Sequence, residues 1–304
     1  MAKVLVTGGA GFIGSHLVEA LVSKKHEVTV LDNLSSGKHA NLSSVKDKIT
    51  FIKGDISDVN AVKKACAKQD FVFHLAAVAS VPYSILHPLE AHEINTTGTL
   101  KVLLAARDAK VRRVVYSSSA AVYGDEPTLP KTEDSILKPM TPYALTKLAG
   151  EQYTLMFHKL YGMETVALRY FNVFGPRQDP ASPYSGVITK FVSALRSGKQ
   201  PVIFGDGMQT RDFVFVSDVV QANLKAMTAP AAGRVFNIAT GVQVSIKEML
   251  VHLNEILKTK VQPKYEARQP GDILHSVADI SEAKKALHFS PEVMFHEGLE
   301  LTVE

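Results

Sequence analysis

No stretch constrains the chain more than VTGGAGFIGSHLVEAL, residues 6–21. An apolar run, KVLVT at 3–7, leads straight into it, so Gly8, Gly11 and Gly14 fall where a strand turns into a helix. Gly8 and Gly11 let backbone come close to a ligand, and Gly14 lets the helix lie tight on the sheet. A helix N-terminus opened in this way favours a negative group, above all a pyrophosphate. A glycine pattern alone is a weak sign; its place at a strand-to-helix turn gives it meaning.

The first 170 residues repeat that alternation. Apolar runs at 3–7, 27–31, 49–53, 71–75, 113–117 and 165–170 are separated by helical patterns at about 11–23, 57–68, 88–109 and 142–161. Strands this apolar are buried on both faces, and the rhythm predicts an α/β fold with a doubly wound parallel sheet of the Rossmann type. After residue 170 the texture changes. NVFGPRQDPASPYSG (172–186) reads as a loop, RVFNIAT (234–240) as a further sheet strand, and SIKEML (245–250) opens with a capping box formed by Ser245 and Glu248. These pieces predict a smaller C-terminal substrate-binding lobe built from about 172–210 and 242–304. Residues 1–171, with about 211–241, form the nucleotide-binding domain. With 304 residues, 46% of them apolar, the chain suits one large unit or two lobes.

Other classes are disfavoured. The net charge of +4 is mild, and the one basic run, KVRR at 110–113, reads as a solvated helix-to-strand junction, so no nucleic-acid partner is expected. No run of about 18 apolar residues predicts a membrane span, and the N-terminus enters a strand without a signal peptide. The single cysteine, Cys66, can form no internal disulfide and reads as buried filler, which suits the cytoplasm. The eleven histidines make no metal motif, and His74 reads as a satisfied core histidine.

Asp32 ends the second strand 18 residues after Gly14, near the offset at which an acidic residue binds ribose hydroxyls. A carboxylate there repels a 2′-phosphate, so the cofactor is expected to be NAD rather than NADP.

A nicotinamide cofactor gives meaning to TPYALTKLAG (141–150), where Thr141 and Pro142 open a helix carrying Tyr143 and Lys147 one turn apart. Oxidising an alcohol needs a base for the hydroxyl proton. A free tyrosine titrates near 10, and bringing it to about 7 takes roughly 4 kcal/mol of preference for the phenolate. One cation at about 4 Å supplies roughly that at an effective dielectric near 20. Burial opposes it, so two cations are expected: Lys147 and the oxidised nicotinamide ring. YSSSAAVYG (116–124) offers a hydroxyl partner, with Ser119 the first choice and Ser118 the second.

Together TGGAGFIG, Asp32, GDI (54–56), HLAA (74–77), the serine run, YxxxK and RYFNVFGP (169–176) resemble the extended short-chain dehydrogenase/reductase family, over nearly the whole chain. Within it the chain is similar to the nucleotide-sugar epimerases. The resemblance implies that NAD is held permanently and that a UDP-hexose is inverted at C4: UDP-glucose/galactose, and the N-acetylhexosamine pair as well. Tyr143 would take the proton of the 4-hydroxyl while hydride passes to NAD, and the 4-keto sugar would turn over before hydride returns.

The resemblance also implies a set of contacts. The cofactor would meet Phe12 and Ile13 at the helix start, then Asn33, Ser35, Ser36 and Gly37 after the second strand. Asp55 and Ile56 follow, then Leu75, Ala76 and Ala77, with Asn95, Ser117, Tyr170 and Val173. The substrate would meet Ser80 and Asn172, Val187 and the Val202–Ile203–Phe204 wall around the uracil. Arg211 and Arg268 would hold the diphosphate and Asp272 the ribose. The spacing from Arg268 to Asp272 is one residue longer than in the common epimerase pattern. Ser276 falls where glucose-restricted epimerases place a tyrosine, which predicts room for a 2-N-acetyl group.

Dehydratases of the family carry Thr-Asp-Glu where this chain has Ser119, Ala120 and Ala121, and decarboxylases usually carry a glutamate at the Ala121 position. The resemblance further implies a homodimer built on the helices at 88–109 and 142–161. Alternatives are a glucuronate 4-epimerase, a nucleotide-sugar reductase or, remotely, a noncatalytic NAD-binding regulator.

Overall fold

In a computed structural model of the chain, residues 1–178, 186–268 and 273–304 are described. The first half runs β1 (Lys3–Thr7), α1 (Phe12–Ser23), β2 (Glu27–Asp32), β3 (Ile49–Lys53), α2 (Val59–Cys66), β4 (Phe71–His74), α3 (Val81–Leu86), α4 (Pro88–His92), α5 (Thr99–Asp108), β5 (Arg113–Ser119) and α6 (Pro142–Tyr161). The second half runs β6 (Glu164–Tyr170), β7 (Asn172–Phe174), α7 (Val187–Arg196), β8 (Val202–Phe204), β9 (Thr210–Arg211), β10 (Phe213–Phe215), α8 (Val216–Thr228), β11 (Arg234–Ile238), β12 (Val244–Ser245), α9 (Ile246–Ile256), β13 (Lys264–Glu266), α10 (Ser281–Leu287) and α11 (Phe295–Val303).

Among the described residues, seven strands form one parallel sheet in the order β11-β6-β5-β4-β1-β2-β3. The chain winds outward from β1 through β2 to β3, then returns to the other side of β1 with β4. That reversal opens a crevice at the carboxyl ends of β1 and β4, the usual ligand position in such sheets. Successive side chains serve opposite faces. Val4, Val6, Phe71 and Phe73 pack in one core with α1 and α8, while Leu5, Val72 and Val114 pack in another with α2 and α5. The expected α/β architecture is the one observed.

A third core joins Phe174, Phe191, Ile203, Phe213, Phe215, Met249 and Leu299 beneath three two-stranded sheets, β7–β10, β9–β12 and β8–β13. Its residues come from both C-terminal stretches expected to form the smaller lobe, and also from Phe213, Phe215 and Val216 within the 211–241 stretch expected to belong to the nucleotide-binding domain. Ala283, Leu287 and Phe289, on and beside α10, instead join the core of the large sheet.

Local signals explain the helix boundaries. Thr141 Oγ1 accepts the Ala144 amide at the start of α6, with Pro142 in the first turn. Ser245 and Glu248 exchange both bonds of a capping box. The helix expected at 88–109 is instead α4 and α5 joined by a π-helical stretch, Glu93–Gly98, and α3 precedes it. The widened turn serves Asn95, whose amide holds both polar groups of the Val78 backbone. One of the three basic residues of the run turns inward, contrary to expectation. Arg113 is buried, with its guanidinium on Glu164 and on the carbonyls of Ala226 and Ala229. These bonds offset the cost of desolvating it. Cys66 is buried, and burial pushes its thiol up to about 12. Among the described residues no helix is long and apolar enough to cross a membrane.

Candidate active site

The crevice is a cleft of about 460 Å³. The turn after β1 forms its floor. Gly8 has φ +71°, and a Cβ there would stand 2.8 Å from the Ala76 amide nitrogen. A Cβ on Gly14 would stand 2.1 Å from the Gly8 carbonyl oxygen. Both positions therefore demand glycine. Gly11 precedes α1 and has no side-chain cap, so the first amides of the helix remain for a ligand.

Asp32 is buried at the end of β2, where its carboxylate accepts the amides of Ala10 and Leu34 at 2.9 and 2.8 Å. A carboxylate has about four acceptor positions, which leaves room for two hydroxyls. Phe12, Ile13, Asn33, Ser35, Ser36, Asp55 and Ile56 line this end of the cleft. Leu75, Ala76, Ala77, Ser117, Tyr170 and Val173 continue the wall toward Tyr143 and Lys147. Two expected contacts stand back from the lining. Gly37 packs behind Asp32, and Asn95 clamps the Val78 backbone and receives no wall position of its own.

Tyr143, Lys147 and Ser119 meet at the other end of the cleft. β5 delivers the serines and the first turn of α6 delivers the tyrosine. The Tyr143 amide donates to Ser84 Oγ on α3 at 3.0 Å, which fixes how α6 enters the site. Burial pushes the Tyr143 phenol above its usual value, and a hydrogen bond with the Ser119 hydroxyl opposes this. Lys147 is buried, and burial lowers its ammonium to about 7. Its Nζ donates to the Ser117 carbonyl at 2.6 Å. Without the oxidised nicotinamide ring, the chain's own groups leave the phenol above its usual value, because burial disfavours the anion.

Ser118 is committed elsewhere. Its hydroxyl donates to Glu151 Oε2 at 2.6 Å, and Glu151 in turn holds Arg169 through two bonds of 2.6 and 2.9 Å. Of the two candidate hydroxyls, Ser119 is thus the one that meets Tyr143. His74 is a core residue, bonded to Thr7 and Thr99 through its two nitrogens, with burial and then the Lys147 charge lowering it to about 3.

A second cavity, of about 240 Å³, opens next to the first and shares Asn172 with it. It is lined by Val187, Val202, Ile203, Phe204, Arg211 and Arg268, the expected substrate set. Arg211 is steadied by the Thr210 carbonyl at 2.8 Å. Ser80 caps α3 outside both linings. Ser276 also stands outside them, its amide donating to the Thr210 carbonyl at 3.2 Å. Asp272 lies outside the described residues. The sequence reading missed Gln178, Phe191, Gln209, Ile246 and Leu274, which line the two cavities from loops and helix starts without any motif. It also missed Ser84.

The glycine turn, the carboxylate ending β2 and the tyrosine–lysine pair across one cleft define a dinucleotide-dependent dehydrogenase-type site. The sequence profile of the NAD dependent epimerase/dehydratase family matches residues 4–239, and the chain belongs to that family. NAD is its cofactor, and the glycine cradle and Asp32 fit that group.

The chain is 41% identical to the UDP-glucose 4-epimerase of Mycolicibacterium smegmatis, covering 99% of this chain and 97% of the relative. It is also similar to the solved UDP-N-acetylglucosamine 4-epimerase of Methanobrevibacter ruminantium M1 in complex with UDP-N-acetylmuramic acid, with a TM-score of 0.96, 44% identity, and 99% and 97% of the two chains covered. The UDP-glucose 4-epimerase of Thermotoga maritima with UDP-glucose matches with a TM-score of 0.95 and 39% identity, again over 99% and 97%.

Proposed function

We propose that the chain inverts UDP-hexoses at C4, acting on the glucose/galactose pair and on the N-acetylhexosamine pair. The observation that carries this reading is that the two cavities adjoin at Asn172, which lines both. The Tyr143–Ser119 pair stands on one side, and two arginines suited to a diphosphate stand on the other. The glycine turn at Gly8, Gly11 and Gly14 and the Asp32 carboxylate would hold NAD, which would supply a hydride acceptor for C4 and a positive ring in the cleft.

The chain's residues do the rest. Tyr143 accepts the 4-hydroxyl proton and gives it back, and Ser119 shares the proton and holds the sugar oxygen. Lys147, buried and near neutrality in its titration, is positioned to bind ribose hydroxyls and to follow the charge of the phenol. Arg211 and Arg268 hold the diphosphate while the hexose turns, with Asp272 on the nucleotide ribose. Ala120 and Ala121 offer methyl groups where elimination of water would need an acid and a base, which favours epimerisation over dehydration.

The third core and its small sheets are the substrate lobe in this reading, with α10 grouped with the dinucleotide domain. A homodimer through α4, α5 and α6 is consistent with Leu89, Leu145 and Leu160, which are 73%, 58% and 62% exposed. Sedimentation at several concentrations tests it.

Incubating the purified protein with each UDP-sugar and separating the products tests the function. The expected outcome is interconversion of the C4 epimers with no net NADH absorbance. Steady accumulation of NADH, or a sugar that has lost water, would show a different reaction.

A further inference from the structure

We infer that the outer face of the C-terminal region carries a transition-metal site of the zinc class, formed by His252 and Glu255 on α9 and His296 on α11. Ligand atoms from these three side chains all lie within 4.8 Å of one another. The set of two imidazoles and one carboxylate is the donor chemistry that zinc accepts, and it does not suit magnesium or calcium, which take oxygen ligands.

A second observation points the same way. His252 Nδ1 is buried and has no hydrogen-bond partner among the described residues. The nearest anion, Glu255 Oε2, is 3.6 Å away, beyond hydrogen-bond range. A buried ring nitrogen left without a partner costs free energy unless water or an ion meets it. The His252 ring is held edge-on by Phe295 and His296, with centroids 6.2 and 5.2 Å away, so its direction is set by packing. Glu300 stands 3.7 Å from His296 Nδ1, too far for a hydrogen bond, and adds a negative charge beside that ring.

Three protein ligands leave positions for water, so the ion would tie α9 to α11 and remain open to solvent. His252 and Glu255 are one helical turn apart, but His296 lies 44 residues on, so no sequence motif announces the site. It lies apart from the tyrosine–lysine cleft, since none of its residues lines either cavity.

The test titrates ZnCl2 into the NAD-bound, tag-free chain by calorimetry and follows its thermal midpoint. One equivalent is expected to bind, with a rise of about 5 °C once Zn2+ is near a hundredfold above its Kd, and no rise with MgCl2. His252→Ala and His296→Ala should each weaken Zn2+ binding at least about tenfold, and Glu255→Gln serves if either fails to fold. A wild-type chain that does not respond, or variants that bind Zn2+ as the wild type does, would overturn the inference.

Discussion

Lys147 gives its ammonium to the Ser117 carbonyl, 2.6 Å away, although Tyr143 lies one turn before it on the same helix. The strand end and the helix are thereby locked together, and the lysine is taken out of water. Its ionisation falls from 10.5 to about 7 because burial disfavours the charge. Between those values the unfolded chain holds more protons at this position than the folded one, so stability should rise with pH through that window. The contribution is up to about 1.4 kcal/mol per pH unit. Urea midpoints of NAD-stripped protein at pH 7, 8 and 9 should climb relative to those of Lys147→Met. Parallel profiles would mean that the lysine is solvated.

Removing the Tyr143 hydroxyl should separate chemistry from binding. Tyr143→Phe is expected to lower kcat by roughly 10²–10⁴ while KM changes little and bound NAD is retained. Steady-state kinetics and the dinucleotide content of the purified variant give both readings. A variant that keeps full kcat would remove Tyr143 from the proton path.

The Arg169–Glu151 pair should matter for folding more than for rate. Both side chains are buried, and Glu151 also holds Ser118. Arg169→Met leaves an uncompensated carboxylate in the interior, at a cost of about 3–5 kcal/mol. Denaturant unfolding measures this directly. Glu151 and Arg169 sit behind the serine strand, so a loss under about 1 kcal/mol would indicate that water reaches the pair.

Ser276 tests substrate breadth. Its amide pairs with Thr210, the neighbour of Arg211, which places a side chain there near the second cavity though outside its lining. Ser276→Tyr should lower kcat/KM for the N-acetylhexosamine pair at least about tenfold relative to the glucose pair, as overfilling a close-packed site does. An unchanged ratio would assign the choice of sugar to other residues.

Much of this was legible in the residues because the relevant signals are local. Each strand of the large sheet is a short apolar run, and the glycine turn, Asp32 and the Thr141 cap act within a few positions of themselves. The features that were not legible depend on distant partners. Arg113 reads as solvated until Glu164 and two carbonyls from the α8 end close over it. Ser84 carries no motif, yet it receives the Tyr143 amide from 59 residues away. Gln178 lines the cleft only because Val173 and Thr189 hold its amide there. How dry Tyr143 and Lys147 are was not legible for a related reason: helical spacing shows that two groups are neighbours but not how far burial shifts each of them.

The central claim is that hydride leaves C4 and comes back to the same carbon while Tyr143 handles the hydroxyl proton. UDP-glucose deuterated at C4, turned over in ordinary water and examined by mass spectrometry and proton resonance, tests it most directly. The account predicts UDP-galactose that keeps its deuterium at C4. Product carrying a solvent-derived hydrogen at C4 would contradict it.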